Sequence, residues 1–165
     1  MPALLASRMS NILIVDDDPT IRTMFARALQ ALGEIEQAGN GAEALRLLTA
    51  KKFSIVLLDL HMPVIDGFVI LQSLATKPGP NRDTPIYIVT ADVSDQARLR
   101  ALRQHAVFFL TKPVPIMTLV SLVDSTLKKS AQRAASRDTP IPPPRAILGS
   151  PIPPPRGSSP LTKKS

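Results

Sequence analysis

Five polar residues stand just after short apolar runs that lie far apart in this chain. Asp16 and Asp17 follow Asn11–Val15, Asp59 follows residues 54–58, Thr90 follows 85–89, and Lys112 comes shortly after 106–110. If these runs lie side by side, three carboxylates meet. Two like charges ~4 Å apart cost roughly 4 kcal/mol at an effective dielectric of ~20, so such a cluster calls for a cation. A site with few protein ligands, all of them hard oxygens, suits Mg²⁺, which keeps several waters and favours phosphate oxygens. Lys112 adds a fixed positive charge and Thr90 a hydroxyl donor. Metal, ammonium and hydroxyl around one carboxylate form a site that stabilises a transferring phosphoryl group, with Asp59 as its nucleophile.

The elements that must position these groups can be read from local patterns. Asn11–Val15 is β-branched without helical period and reads as a buried parallel strand. Asp18 suits a helix N-cap and Pro19 the first helical position. Ile21, Met24, Phe25, Ala28, Leu29 and Leu32 then follow at helical spacing, and Gly33 is expected to end that helix. Glu34–Ala38 reads as a second strand and Gly41–Ala50 as a short helix. Residues 54–58 form a third strand, and the loop 60–66 leads to a helix carrying Phe68, Leu71 and Leu74. After a Pro/Gly/Asn turn region at 77–84 come a fourth strand (85–89), a fourth helix (94–104) and a fifth strand (106–110). The last helix holds Ile116, Leu119, Val120, Val123 and Leu127. Strands alternating with helices predict an α/β domain, a doubly wound five-stranded parallel sheet with five helices. Such sheets bind ligands at the carboxyl ends of their strands, where all five polar residues fall.

The 165 residues and 44% apolar content allow one core, but the chain is not uniform. Nine of the seventeen prolines lie from Pro140 onward, and residues 128–165 hold eight basic residues against Asp138 alone, which accounts for the whole net charge of +7. A hexapeptide, Pro-Ile-Pro-Pro-Pro-Arg, occurs at 140–145 and again at 151–156. Residues 130–165 therefore read as a disordered, proline-rich basic tail of extended character. Residues 1–9 read as an N-terminal extension, with Met9 an alternative start. Residues 1–10 lack the pattern of a signal peptide, and no apolar run approaches the ~20 residues of a membrane span. A cytoplasmic location follows by default. The absence of cysteine excludes disulfides, thiolate chemistry and Cys-based zinc sites. His61 and His105 cannot build a His-rich metal site; His105 reads as an exposed helix-end residue.

Taken in order, these segments resemble a known family, the two-component response-regulator receivers. The resemblance rests on Ile12-Leu-Ile-Val-Asp-Asp-Asp-Pro19, Leu57-Leu-Asp-Leu-His-Met-Pro63, Asp66-Gly67, Val89-Thr-Ala91 and Thr111-Lys-Pro113, and it covers residues 10–129. It implies a flavodoxin-like receiver fold and a phosphorylation-dependent regulator. Asp59 is then the phosphoacceptor. Asp16, Asp17, Asp59 and the backbone carbonyl of His61 are the Mg²⁺ ligands. Lys112 pairs with the phosphoryl group, and Thr90 is the switch hydroxyl. Phe109 falls at the family's aromatic switch position, as Phe rather than the frequent Tyr, so a switch hydrogen bond through a phenol is unavailable; a plain core aromatic is the rival reading. The His61 imidazole is assigned no role. His61 and Asp92 each stand two residues past a site residue, at positions that in the family influence phosphoryl lifetime. Gln104-His105 stands where many relatives have glycine.

The implied partners are a sensor histidine kinase or a histidine phosphotransfer protein, with a downstream target protein that the sequence does not name. No enzymatic turnover is expected beyond the domain's own phosphorylation and dephosphorylation. One alternative is an aspartate-dependent phosphatase of haloacid-dehalogenase type. It would require a second Asp two residues past the nucleophile, where this chain has His61. Another is a regulator whose basic tail binds DNA or membrane. No helix-turn-helix follows residue 130, so a folded nucleic-acid-reading module is not expected. The Pro-x-x-Pro-x-Arg repeats also resemble ligands of aromatic-grooved adaptor domains, so a tail-binding partner is a further alternative.

Overall fold

The computed structural model describes residues 9–104 and 106–137. The expectations for residues 1–8, for His105 and for the proline repeats fall outside that range. Five strands alternate with five helices: β1 (Asn11–Val15), α1 (Pro19–Leu29), β2 (Glu34–Ala38), α2 (Gly41–Ala50), β3 (Ile55–Leu58), α3 (Gly67–Thr76), β4 (Ile86–Thr90), α4 (Asp95–Arg103), β5 (Ala106–Thr111) and α5 (Ile116–Arg137). The strands form one sheet in the order β2-β1-β3-β4-β5, and every pairing is parallel.

Parallel strands covered on both faces must be apolar along their length, and β1, β3 and β4 are, apart from Asn11 at the start of β1 and Thr90 at the end of β4. Their alternate residues divide between two cores. Leu13, Val15, Val56, Leu58, Ile86 and Ile88 pack with residues of α2, α3 and α4, among them Leu48, Leu71 and Ala101. Ile12, Ile14, Ile55, Leu57, Tyr87 and Val89 pack with Phe25 and Leu29 of α1 and with Leu119, Val123 and Leu127 of α5. From β1 the chain winds to β2 on one side and to β3 on the other. That reversal leaves a crevice at the carboxyl ends of β1 and β3.

Two expected boundaries are corrected. First, α1 stops at Leu29, where the Leu32 amide turns back to the Leu29 carbonyl (2.8 Å). Gly33 does not cap it. A Cβ at Gly33 would sit 2.1 Å from the Ser10 carbonyl oxygen, so glycine there permits the close approach that lets Glu34 N–H reach Ser10 O (2.8 Å). Second, α5 continues to Arg137, eight residues past the end that the apolar period implied. Residues 131–137 are exposed all round and leave no apolar stripe to read, but their alanines favour helix. The proposed tail therefore begins as helix over 130–137.

The turn region 77–84 contains a feature that composition did not reveal. Asn81 is buried; its Oδ1 accepts from Phe53 N–H (2.8 Å), and its Nδ2 donates to the Leu48 (2.6 Å) and Lys51 (2.7 Å) carbonyls. One side chain thus ties the end of α2 to the segments entering β3 and β4.

Candidate functional site

Asp16, Asp17, Asp59, Thr90 and Lys112 each sit where a strand meets its following loop, whereas Phe109 lies within β5. Asp16 follows β1, and its amide donates to the Ala38 carbonyl (3.2 Å), which holds it at the sheet edge. Asp59 follows β3, with its amide on the Val15 carbonyl (2.9 Å). Thr90 ends β4, and its carbonyl accepts the Lys112 amide (2.8 Å). Backbone pairing alone therefore brings Asp16, Asp59, Thr90 and Lys112 to one crevice.

The side chains meet there. Lys112 Nζ lies 2.5 Å from Asp16 Oδ2 and 3.2 Å from Asp59 Oδ2. Asp16 and Asp59 are 2% and 6% exposed, whereas Asp17 is open to solvent. Carboxylate oxygens of Asp16, Asp17 and Asp59 all lie within 4.8 Å of one another. The remaining oxygens of the two buried acids have partners: Asp16 Oδ1 accepts Asp18 N–H (2.9 Å), and Asp59 Oδ1 accepts His61 N–H (3.3 Å). Arg22 of α1 donates to the Asp16 carbonyl (2.6 Å). Asp18 caps α1 as expected, accepting Thr20 N–H (2.8 Å).

Three carboxylates face one ammonium, so the pocket is left with excess negative charge. Burial raises the Asp16 pKa above the usual carboxylate value, against the pull of Lys112 and the Asp18 amide. For Lys112, burial works to lower the pKa, but its contacts with Asp16 and Asp59 outweigh this and raise it. The ammonium is therefore firmly charged. The donor set is all oxygen, clustered, and open to water on the Asp17 side. It fits a hard divalent cation of the Mg²⁺ kind.

Other predicted residues lie around this centre. Thr90 is fully buried, and its hydroxyl oxygen accepts Asp92 N–H (3.3 Å). Phe109 is half-buried and packs against the core beneath α2, α3 and α4. The His61 imidazole, to which the sequence assigned no role, has a partner: Nε2 lies 3.0 Å from Asp92 Oδ2. That contact joins the loop after β3 to the loop after β4. The only trace in the sequence is the shared offset of two residues from Asp59 and Thr90. The Ser94 amide and hydroxyl and then His61 hold the Asp92 carboxyl below its usual pKa.

The loop after β3 is tightly built. Ile65 N–H reaches the Pro63 carbonyl (2.8 Å), which places the exposed Val64 in a γ-turn at φ 68°. Gly67 N–H then donates to the Leu60 carbonyl (2.9 Å). A Cβ at Gly67 would stand 2.3 Å from the Asp59 carbonyl oxygen and 2.8 Å from Leu60 Cα, both backbone atoms. Gly67→Ala is accordingly expected to destabilise the fold by about 2 kcal/mol in chemical denaturation, because the backbone beneath Asp59 must move. An unchanged unfolding midpoint would show that the loop yields freely.

No helix among the described residues is long and apolar enough to cross a membrane. Residues 12–124 match the response regulator receiver domain family. The transcriptional regulatory protein PrrA of Mycobacterium tuberculosis is 32% identical over 76% of this chain and 53% of its own. Protein PilH of Pseudomonas aeruginosa is 34% identical over 72% of this chain and 98% of its own. The chain thus spans about half the length of PrrA but nearly all of PilH. A solved response regulator protein from Burkholderia pseudomallei, described with a phosphorylated aspartic acid, a calcium ion and citrate, superposes with a TM-score of 0.63. It is 25% identical, over 78% of this chain and 75% of that one.

Proposed function

Since this chain belongs to the response regulator receiver domain family, we propose that it accepts one phosphoryl group on Asp59 and signals by switching between two packings. Its family supports phosphorylation-dependent signalling in two-component systems. The observation that carries the residue-level reading is the Lys112 ammonium bridging Asp16 and Asp59 beside a cluster of three carboxylates. The relative from Burkholderia pseudomallei, with its phosphorylated aspartic acid, supports it.

Asp16, Asp17 and Asp59, with the His61 backbone carbonyl, would hold Mg²⁺, which when bound supplies positive charge against phosphoryl oxygens. An Asp59 carboxylate oxygen attacks the phosphorus of a phosphohistidine. The P–N bond breaks, its electron pair stays on the imidazole, and a phosphoaspartate forms. Lys112, already in contact with Asp59, offsets the charge on the transferring group. The Thr90 hydroxyl then leaves the Asp92 amide for a phosphoryl oxygen, and Phe109 moves into the space released. That rearrangement would bias α4, β5 and α5 toward a second packing.

The donor is a sensor histidine kinase or a histidine phosphotransfer protein. A groove of about 630 Å³ lined by Pro19, Thr20, Thr23, Met24 and Arg27 of α1 and Ile116 of α5 offers a seat for that partner. The chain turns over no separate substrate. The phosphatase alternative lacks its second acid, because the residue two past Asp59 is His61, held by Asp92.

Purified protein given Mg²⁺ and a small phosphodonor is expected to gain one phosphoryl group, located on the Asp59 peptide by mass spectrometry. Uptake on a serine or threonine, or none at all, would overturn the proposal.

A further inference from the structure

Residues 1–127 hold twelve basic and twelve acidic residues, so the net charge of +7 belongs wholly to residues 128–165. The extended α5 gives the first of those cations a fixed place. Lys129, Arg133 and Arg137 follow at steps of four along one ridge of the helix, each step rising about 6 Å. All three are exposed. Asp124 takes Lys128 (2.6 Å), but among the described residues no acid pairs with the other three.

Lys129 and Arg133 line a groove of about 440 Å³ whose opposite wall includes Arg82, Val107 and Phe108. Phe108 is 40% exposed and stands edge-on to Tyr87, with ring centroids 4.9 Å apart. Asp83 is the one acid among the groove residues. The groove lies where β4 and β5 begin, at the pole opposite Asp59.

Regularly spaced cations beside an open aromatic ring fit a chain of phosphates with bases to stack. We propose that this groove binds single-stranded nucleic acid through its phosphate backbone, with Phe108 as a stacking platform. An anionic membrane is disfavoured as occupant, because α5 over residues 130–137 carries no large apolar side chain and the groove exposes only Val107 and Phe108 for insertion. The inference goes beyond the phosphoryl reading and does not depend on it.

Fluorescence anisotropy of the full chain with labelled single-stranded DNA of about 20 nucleotides tests it. The three groove cations Arg82, Lys129 and Arg133, with Arg137 next along the α5 ridge, predict a log–log salt slope of about −3. K129Q/R133Q is expected to weaken binding at least about tenfold and to flatten the slope by about 1.4. Phe108→Ala should lower affinity and leave the slope unchanged. Denaturant unfolding with an unchanged midpoint serves as the check that each variant is folded. Unchanged affinity in K129Q/R133Q, or capture by phosphatidylserine vesicles without DNA binding, would overturn the proposal.

Discussion

Asp59→Asn is expected to take up no phosphoryl group, with incorporation at least about 10²-fold below the parent protein, while remaining folded. The amide is uncharged and its nitrogen lone pair is delocalised into the carbonyl, so the nucleophilic carboxylate is lost. The rest of the site loses little. An asparagine Oδ1 still accepts His61 N–H, and Lys112 keeps Asp16 at 2.5 Å. Losing the second Lys112 contact, at 3.2 Å, is offset by relief of repulsion between carboxylates that lie within 4.8 Å. The unfolding free energy should therefore stay within about 1 kcal/mol of the parent. Phosphoryl incorporation and denaturant unfolding together check the expectation. Equal uptake in the variant would remove Asp59 as the nucleophile. Loss of uptake together with a collapsed fold would leave the role unproved and call for Asp59→Glu, which keeps the charge but displaces the oxygen.

Replacing Lys112 with methionine is expected to do two things. Phosphoryl uptake should slow by about 10²-fold, because the charge that develops on the transferring group loses its fixed partner. The protein should also lose about 3 kcal/mol of stability in divalent-free buffer at neutral pH, since two buried carboxylates are left without their cation. Much of the second loss should return on adding Mg²⁺. The pH dependence has a definite sign. The folded pKa of Asp16 already stands above its unfolded value through burial, and removing Lys112 takes away a contact that lowers it. The folded state then binds protons more readily than the unfolded one, so the ionised acid costs stability as pH rises through its raised pKa. The deficit of Lys112→Met should accordingly shrink in acid. A deficit that grows on acidification, or that ignores Mg²⁺, would contradict this account of the pocket.

The strands and their polar ends were readable for a local reason. Runs such as Asn11–Val15 are apolar without helical period, and such runs pack only between two covered faces, so their first polar residue marks a sheet edge. Asp18 with Pro19 announced α1 equally locally, through a cap and a fixed φ. The end of α5 was not readable, because a helix exposed on all sides over residues 131–137 carries no apolar stripe. The end of α1 was misread because Gly33 serves a neighbouring segment, through its distance to Ser10, rather than its own helix.

By itself, then, the sequence determined the alternation of elements, the fold class and the identity of the groups at the crevice, since each follows from residue type and near-neighbour spacing. Only the tertiary structure decided that one ammonium serves both Asp16 and Asp59, that His61 bonds Asp92 across two loops, that Asn81 locks three segments together, and that Arg82, Phe108, Lys129 and Arg133 share a groove. Those arrangements join segments more than 20 positions apart in the chain. They arise from strand order and helix placement, which no window of neighbouring residues contains.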